Sequence, residues 1–329
     1  MKSISILLTA ALISGCSQVI PTTNKRNQLN TFTNSLGMSF KQIEPNGILF
    51  SVYETRLGDF EEFVNVTNYE VGNMKSSSCR GVPGGIAYFE DDNGKSWIDP
   101  GFPQNGNHPV VGVNKIDAIQ FAEWLTKKER KLGLIKEDEY YRLPTNEEFD
   151  KAIGINPLPK NASLKARQKS AEQNLQQMQK DKSQNLPYSW GHYFPPTSLD
   201  GNFHDVEGKN FGKNIWGPAY EAAINRGRND GYGCTAPVGS YKPHTNGLYD
   251  VSGNVSEIVE NNGEQDANES SYFIRGGSYF FNWASQLLPE NSEQKPNNYR
   301  VDNIGFRLVL DSKKLGNNPQ SSTNPQQNP

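Results

Sequence analysis

The chain of 329 residues carries 33 Lys and Arg against 36 Asp and Glu, which gives a formal net charge of −3. A charge this close to neutral, without a basic cluster, argues against nucleic acid as a partner. The mean hydropathy of −0.72, with no long apolar segment after the N-terminal one, predicts a soluble body.

The N-terminus resembles a bacterial lipoprotein signal. Lys2 supplies a positive charge, a short apolar run follows, and the sequence ISGC ends it at Cys16. The run is shorter than the roughly 20 residues that a membrane-spanning helix needs, so it predicts a cleaved signal peptide at 1–15. The resemblance implies that Cys16 is lipidated, with palmitate among its acyl chains, and Ser17 favours the outer membrane. An ordinary secretory signal is the alternative.

Polar residues without periodicity follow at 16–35 and predict a flexible tether between the lipid anchor and a folded domain at 36–311. Two cysteines remain after Cys16, namely Cys79 and Cys234. Because an exported chain faces an oxidising compartment, these two could form a disulfide. Two separate buried thiols are the alternative, since sequence does not give the distance between them.

Two helices are predicted from their capping residues. Asn114 can cap a helix from Lys115 to Leu132, whose apolar residues fall on one face. Thr145 and Glu148 have the spacing of a capping box and predict the start of a second helix.

Most of the remaining chain is predicted to form short strands and loops. Glycine, proline, Asn and Asp punctuate short apolar runs at 48–52 and 306–310, and these runs predict strands. Residues 156–187 are rich in Lys, Gln and Ala and predict a solvated insertion. The tail at 312–329 is rich in Asn, Gln, Pro and Ser and predicts disorder.

Nine stretches, in order, resemble the sulfatase-modifying-factor family, whose founding member is the formylglycine-generating enzyme. They are SLGMSF (35–40), FSVYETRLGDFEEFV (50–64), HPVVGVNKIDAIQFAEWL (108–125), YRLPTNEEFDKA (141–152), YSWG (188–191), TAPVGSY (235–241), NGLYDVSGNVSEIVE (246–260), RGGS (275–278) and DNIGFRL (302–308). The joint order is more specific than any single stretch. The resemblance implies an α+β, loop-rich, C-type-lectin-like fold with little regular secondary structure.

Calcium is the cofactor that the resemblance implies, in a structural role. Asp250 and Glu257 flank glycine and Asn, which places hard oxygen ligands on a tightly turning backbone. The family pattern implies two calcium sites. The first would use the side chains of Asp250 and Glu257 with the carbonyls of Gly253 and Val255, and the second the side chains of Asp205 and Asp230 with the carbonyls of Val206 and Tyr232. Carboxylates that merely solvate loops are the alternative.

Copper is not expected. In formylglycine-generating enzymes, the segment after the Gly-Gly-Ser carries two cysteines that bind copper and activate oxygen to oxidise a substrate cysteine. The matching positions here are Phe281 and Gln286, and neither side chain can form the thiolate that stabilises cuprous copper. We therefore expect no formylglycine generation and assign no catalytic residue.

The same segment combines aromatic and small polar side chains, a mixture typical of binding surfaces. The candidate ligand surface is Tyr279, Phe281, Trp283, Gln286, Asn298 and Arg300. Burial of half of these aromatics in the core is the alternative.

The favoured function is a calcium-stabilised, non-catalytic binding or scaffold lipoprotein of the bacterial cell envelope, whose partner is an envelope protein or a glycan and not nucleic acid. One alternative is a family enzyme with different, non-copper chemistry, either an oxidoreductase or a modifying enzyme. The other is a ligand-binding surface protein diversified by a retroelement.

Overall fold

The structure, a computed structural model, describes residues 31–43, 47–74, 79, 95–154, 169, 173, 188–191, 193, 196–205, 229–260, 271–281, 286–288 and 291–312. The predicted signal peptide, Cys16, most of the tether, most of the insertion and the tail from 313 onward lie outside the described residues. Within the described residues, none of the helices has the length and apolar character needed to cross a membrane.

Short strands and three helices make up the regular structure of the described residues. The helices are α1 (Leu57–Thr67), α2 (Lys115–Lys131) and α3 (Asn146–Ala152). The strands are β1 (Thr31–Thr33), β2 (Ser39–Gln42), β3 (Leu49–Ser51), β4 (Glu139–Arg142), β5 (Ser256–Val259), β6 (Ser271–Arg275), β7 (Ser292–Pro296), β8 (Ile304–Gly305) and β9 (Val309–Ser312). The fold class is α+β and rich in loops, as the sequence predicts.

The strands form two sheets. One sheet has the order β1-β2-β3-β9-β4, and the other has the order β7-β6-β5-β8. All neighbouring pairs are antiparallel except β5 and β8. In the first sheet Leu49 pairs with Leu310 and Phe50 with Val309, and alternate residues enter two different hydrophobic clusters. The larger cluster joins both sheets to α1 and α2.

The predicted starts of α2 and α3 are confirmed. The Asn114 side chain accepts from the backbone N–H groups of Ile116 and Asp117, and the Asp117 carboxylate accepts from the Asn114 N–H. Thr145 and Glu148 form the same reciprocal pair at α3. These two contacts satisfy N–H groups that the first helical turn leaves without partners.

The structure differs from the sequence predictions in three places. Helix α1 was not predicted, because Arg56 precedes it where Ser, Thr, Asp or Asn is usual. There the Asp59 carboxylate accepts from the Arg56 N–H at 3.1 Å. The predicted tether is wrong at its end: Thr31–Thr33 pairs with β2 and Phe32 is buried, so the folded body includes these residues. Strand β9 likewise runs to Ser312, one residue into the predicted tail.

A disulfide joins Cys79 to Cys234, with their Cα atoms 5.7 Å apart. Both residues are buried and pack against Tyr279, with Phe102 and Phe280 at the edge of the cluster. The Cys79 N–H also donates to the Asp302 carboxylate at 2.9 Å. The bridge therefore joins two segments that are 155 residues apart, and both pack against Tyr279 in the chain that follows β6.

Candidate functional site

The predicted first calcium loop turns sharply before it enters β5. Asp250, Gly253 and Asn254 all have a positive φ, at 55°, 89° and 56°. Glycine adopts this conformation at little cost, whereas Asp and Asn tolerate it better than most side chains. The turn brings Asp250 and the first residues of β5 to the same buried region of the fold.

Three buried carboxylates share this region with one buried guanidinium. Glu257 accepts from Arg307 Nε at 2.5 Å and from Arg307 Nη2 at 2.6 Å. The other donors of Arg307 reach the carbonyls of Ser51 and Tyr249 at 3.1 and 2.8 Å. Glu54 is buried beside them. Arg307 is therefore the cation in direct contact with Glu257 among the described residues, while Arg275, paired with Asp150, adds a positive charge nearby.

Burial raises the pKa of each of these three acids. Burial, together with the nearby Asp250 and Glu257, raises the pKa of Glu54 well above its ordinary value. Burial raises the pKa of Asp250 to about 6, against the lowering effect of the Gly239 N–H and Arg307. Burial also raises the pKa of Glu257, although Arg307 opposes the shift. All three shifts indicate that added positive charge would stabilise this region.

Of the two side chains predicted to bind the first calcium ion, Asp250 has an oxygen open to a cation, whereas both oxygens of Glu257 accept from Arg307. Asp250 Oδ2 accepts from the Gly239 N–H at 2.7 Å, whereas Oδ1 is buried with no hydrogen-bond partner among the described residues. The buried Ser252 hydroxyl also lacks one there. Within the described residues, no three His, Cys, Asp or Glu side chains lie close enough together to hold one metal ion. Backbone carbonyls such as those of Gly253 and Val255 would therefore have to complete a calcium shell.

The structure also brings together the two acids of the second predicted calcium site. The Asp230 N–H donates to Asp205 Oδ2 at 2.6 Å. Asp230 in turn accepts from the N–H groups of Phe203 and Tyr232 at 3.0 and 3.2 Å. Asp205 is fully buried. The remaining predicted ligand, Val206, lies outside the described residues.

By the family resemblance, Phe281 and Gln286 match the copper cysteines, and Phe281 lies at the edge of a small aromatic and aliphatic cluster. Phe281 is half-buried and packs against a cluster that contains Phe203 and Leu287. Its carbonyl accepts from the His204 N–H at 3.1 Å. Gln286 is partly exposed, and its carbonyl accepts from the Asn291 side chain at 3.3 Å. Neither side chain offers a soft ligand.

Two residues of the predicted ligand surface have structural roles instead. Tyr279 is 2% exposed, packs on the disulfide and donates to the Asp302 carbonyl at 3.2 Å, so its prediction as a surface residue is wrong. Arg300 is engaged in a bidentate ion pair with Asp117 at 2.7 and 2.9 Å. Asn298 is exposed as predicted. Trp283 lies outside the described residues.

Sequence reasoning missed Glu54 and Asn254 as parts of this region. Asn254 Nδ2 donates to Glu54 Oε2 at 2.6 Å, and the Val255 N–H donates to Glu54 Oε1 at 3.2 Å. The Asn254 side chain also accepts from the Ala236 N–H at 2.8 Å. Glu54 and Asn254 are 200 residues apart, so no local spacing could have linked them.

Comparison with known proteins shows which family the chain resembles. A family model described as the sulfatase-modifying factor enzyme 1-like domain matches residues 23–312. The formylglycine-generating enzyme of Mus musculus is 23% identical over 313 residues, which cover 82% of this chain and 68% of that protein. That of Thermomonospora curvata is 28% identical over 176 residues, or 54% of this chain and 39% of that protein. Among solved structures, PvdO from Pseudomonas aeruginosa is 17% identical, with 88% of each chain covered and a TM-score of 0.49.

Proposed function

The chain belongs to the sulfatase-modifying factor enzyme 1-like domain family, and from this premise we propose that it is an exported, calcium-stabilised binding module rather than a formylglycine-generating oxidase. The observation that carries this proposal is chemical. By the family resemblance, Phe281 and Gln286 stand at the positions of the paired copper cysteines, and Cys79 and Cys234 are joined to each other. No thiol of the folded domain is left to hold cuprous copper.

The decisive experiment tests the missing thiols directly. We expect the purified protein, incubated with copper and a Cys-x-Pro-x-Arg peptide, to leave the cysteine unchanged by mass spectrometry, with a formylglycine-generating enzyme as positive control. A double variant, Phe281→Cys with Gln286→Cys, should gain one tightly bound cuprous ion if the flanking stretches at 275–278 and 302–308 hold these positions as they do in the family. Conversion of the peptide by the wild-type protein would overturn the proposal.

Export and lipidation rest on the N-terminal signal and gain support from the disulfide. Such bridges persist in oxidising compartments and are rare in the cytosol. The proposed location is the bacterial outer membrane, through lipid on Cys16. Labelling with a fatty-acid analogue should mark the wild-type protein and not a Cys16→Ser variant, which should also leave the membrane fraction. Equal labelling of both would contradict the lipoprotein assignment.

Calcium binding is supported by the excess of buried acid and by Asp250 Oδ1, which accepts no hydrogen bond from the part of the chain that the structure describes. A ligand that binds only the folded state adds about 2.7 kcal/mol to the free energy of unfolding at a hundredfold excess over its Kd. EGTA should therefore lower the melting temperature of the wild-type protein, and Asp250→Ala should abolish most of that response. Asp99→Ala, on the surface, is the matched control. An EGTA response that is the same in wild type and Asp250→Ala would exclude the Asp250 site.

The proposed binding surface is the exposed edge around Phe281, Gln286 and Asn298, and its partner is an envelope protein. Aromatic anchors with adaptable polar neighbours are typical of such surfaces. Phe281→Ala should weaken capture of a partner from envelope extract by about 1–3 kcal/mol. Val66→Ala, at an exposed position on α1, is the control. A partner retained equally by both variants would place the binding surface elsewhere.

A further inference from the structure

A cavity of about 240 Å³ lies between the turn before β2, the segment after β3 and the segment at 237–238. The side chains that matter for its chemistry are Met38, Ser39, Tyr53, Arg56, Asn107 and Val238. Its lining includes none of the predicted calcium ligands and no residue of the 279–300 segment. The volume is below the range of about 300–1,000 Å³ typical of sites for drug-sized ligands. It has room for one small ring.

The cavity offers several unused polar groups. Within the described part of the chain, the Tyr53 hydroxyl, the Ser39 hydroxyl, the Asn107 amide and Arg56 Nη1 have no hydrogen-bond partner. Polar groups that converge on a concave site and lack protein partners are the ones that orient a ligand. They offer hydrogen bonds in several directions around one cavity.

The carboxylates of the lining already accept hydrogen bonds from the protein. Arg56 donates to Asp59 from Nε at 2.9 Å and from Nη2 at 2.7 Å. The oxygens of Glu54 accept from Asn254 and from the Val255 N–H. Since Asp59 accepts from Arg56 and each Glu54 oxygen accepts from an N–H group, the carboxylates of the lining are already engaged, and the cavity favours a neutral polar ligand over an ion.

The walls are joined by hydrogen bonds and are partly apolar. Arg56 Nη2 donates to the Leu36 carbonyl at 2.9 Å, and the Val238 N–H donates to the Asn107 carbonyl at 2.9 Å, so the two sides of the cavity are fixed. The Tyr53 ring rests against Tyr249, with ring centroids 5.0 Å apart. Met38 and Val238 add apolar surface. An aromatic ring beside hydrogen-bonding groups matches a molecule with an apolar face and a hydroxylated edge.

We propose that this cavity binds one neutral sugar unit, a pyranose ring whose hydroxyl groups meet Ser39, Tyr53, Arg56 and Asn107. The site is separate from the proposed protein-binding edge around Phe281 and does not depend on it. Its walls are held by hydrogen bonds before any ligand arrives, which lowers the entropic cost of binding.

Amide chemical shifts of the ¹⁵N-labelled protein test the proposal. The neutral probes are N-acetylglucosamine, methyl mannoside and methyl galactoside, with glucuronate and glucosamine as charged counterparts. At least one neutral sugar should give saturable shifts at the amides of Ser39, Asn107 and Val238. Tyr53→Phe should weaken its binding about 3- to 10-fold, the effect of losing one hydrogen bond, and Ser39→Ala should act similarly.

The matched control is Tyr249→Phe, which removes a hydroxyl from the neighbouring ring that lies outside the lining. It should leave the affinity unchanged, and melting curves should show that all three variants fold. The proposal is overturned if no neutral sugar produces saturable shifts at these amides up to its solubility limit. It is equally overturned if a charged counterpart binds more tightly, or if Tyr249→Phe weakens binding as much as Tyr53→Phe.

Discussion

The loss of stability caused by substituting Arg300 tests whether this residue has a structural role or a ligand-binding role. The Arg300 side chain is 15% exposed and its partner Asp117 is 0% exposed. Among the described residues, Arg300→Gln would leave the Asp117 carboxylate with the Tyr69 hydroxyl at 3.0 Å and the Asn114 N–H at 2.9 Å as its donors. Loss of one partner from a buried ion pair costs about 3–5 kcal/mol. Because water reaches Arg300, we expect the lower end of that range, about 3 kcal/mol.

Urea unfolding followed by circular dichroism gives the free energy of unfolding. The double variant Asp117→Asn with Arg300→Gln should recover much of the loss, because the uncompensated charge is gone. Asn298 is exposed and lies two residues before Arg300, so the free energy of unfolding of Asn298→Ala should stay within about 0.5 kcal/mol of the wild-type value. If Arg300→Gln also stays within that limit, the ion pair is not stabilising and the assignment of Arg300 to structure is wrong.

Three further predictions concern other buried residues. Tyr279→Ala should lower the free energy of unfolding, measured in urea, by about 3–5 kcal/mol, because it leaves a cavity beside the disulfide. A loss below about 1 kcal/mol would indicate that Tyr279 is a surface residue. Replacement of both Cys79 and Cys234 by Ser should cost about 2–5 kcal/mol, measured by the same assay, since the bridge closes a long loop. Equal stability of the wild-type protein with and without reductant would contradict a stabilising role of the disulfide. Arg307→Met should cost about 3–5 kcal/mol because Glu257 stays buried without a cation, and a fall in melting temperature no larger than that of Asn298→Ala would argue against this pairing.

The helices show what local sequence determines. The starts of α2 and α3 depend on a capping residue and an acid three positions later, and both contacts form within one turn. For this reason Asn114 and Thr145 predicted their helices correctly. Helix α1 has its acid, Asp59, but begins after Arg56, so the usual signal was incomplete. Its stability comes from Phe60 and other residues that pack into the main core.

The candidate sites show the limit of local sequence. The family pattern placed Asp250 and Glu257 in one loop, and the structure puts them in one buried region. It could not show that Glu54 joins them or that Arg307 takes both oxygens of Glu257. These contacts link distant segments, and each depends on how the two sheets pack together.

The sequence alone determined the ordered stretches that resemble the family, the capped starts of α2 and α3, and the absence of cysteine at 281 and 286. Each of these depends only on residue identity or on short spacing along the chain. The tertiary structure alone decided that Tyr279 is buried and that Arg300 pairs with Asp117. It also decided that Cys79 meets Cys234. Burial and pairing of this kind follow from contacts between segments far apart in the chain, which no local pattern of apolar, charged or small residues specifies.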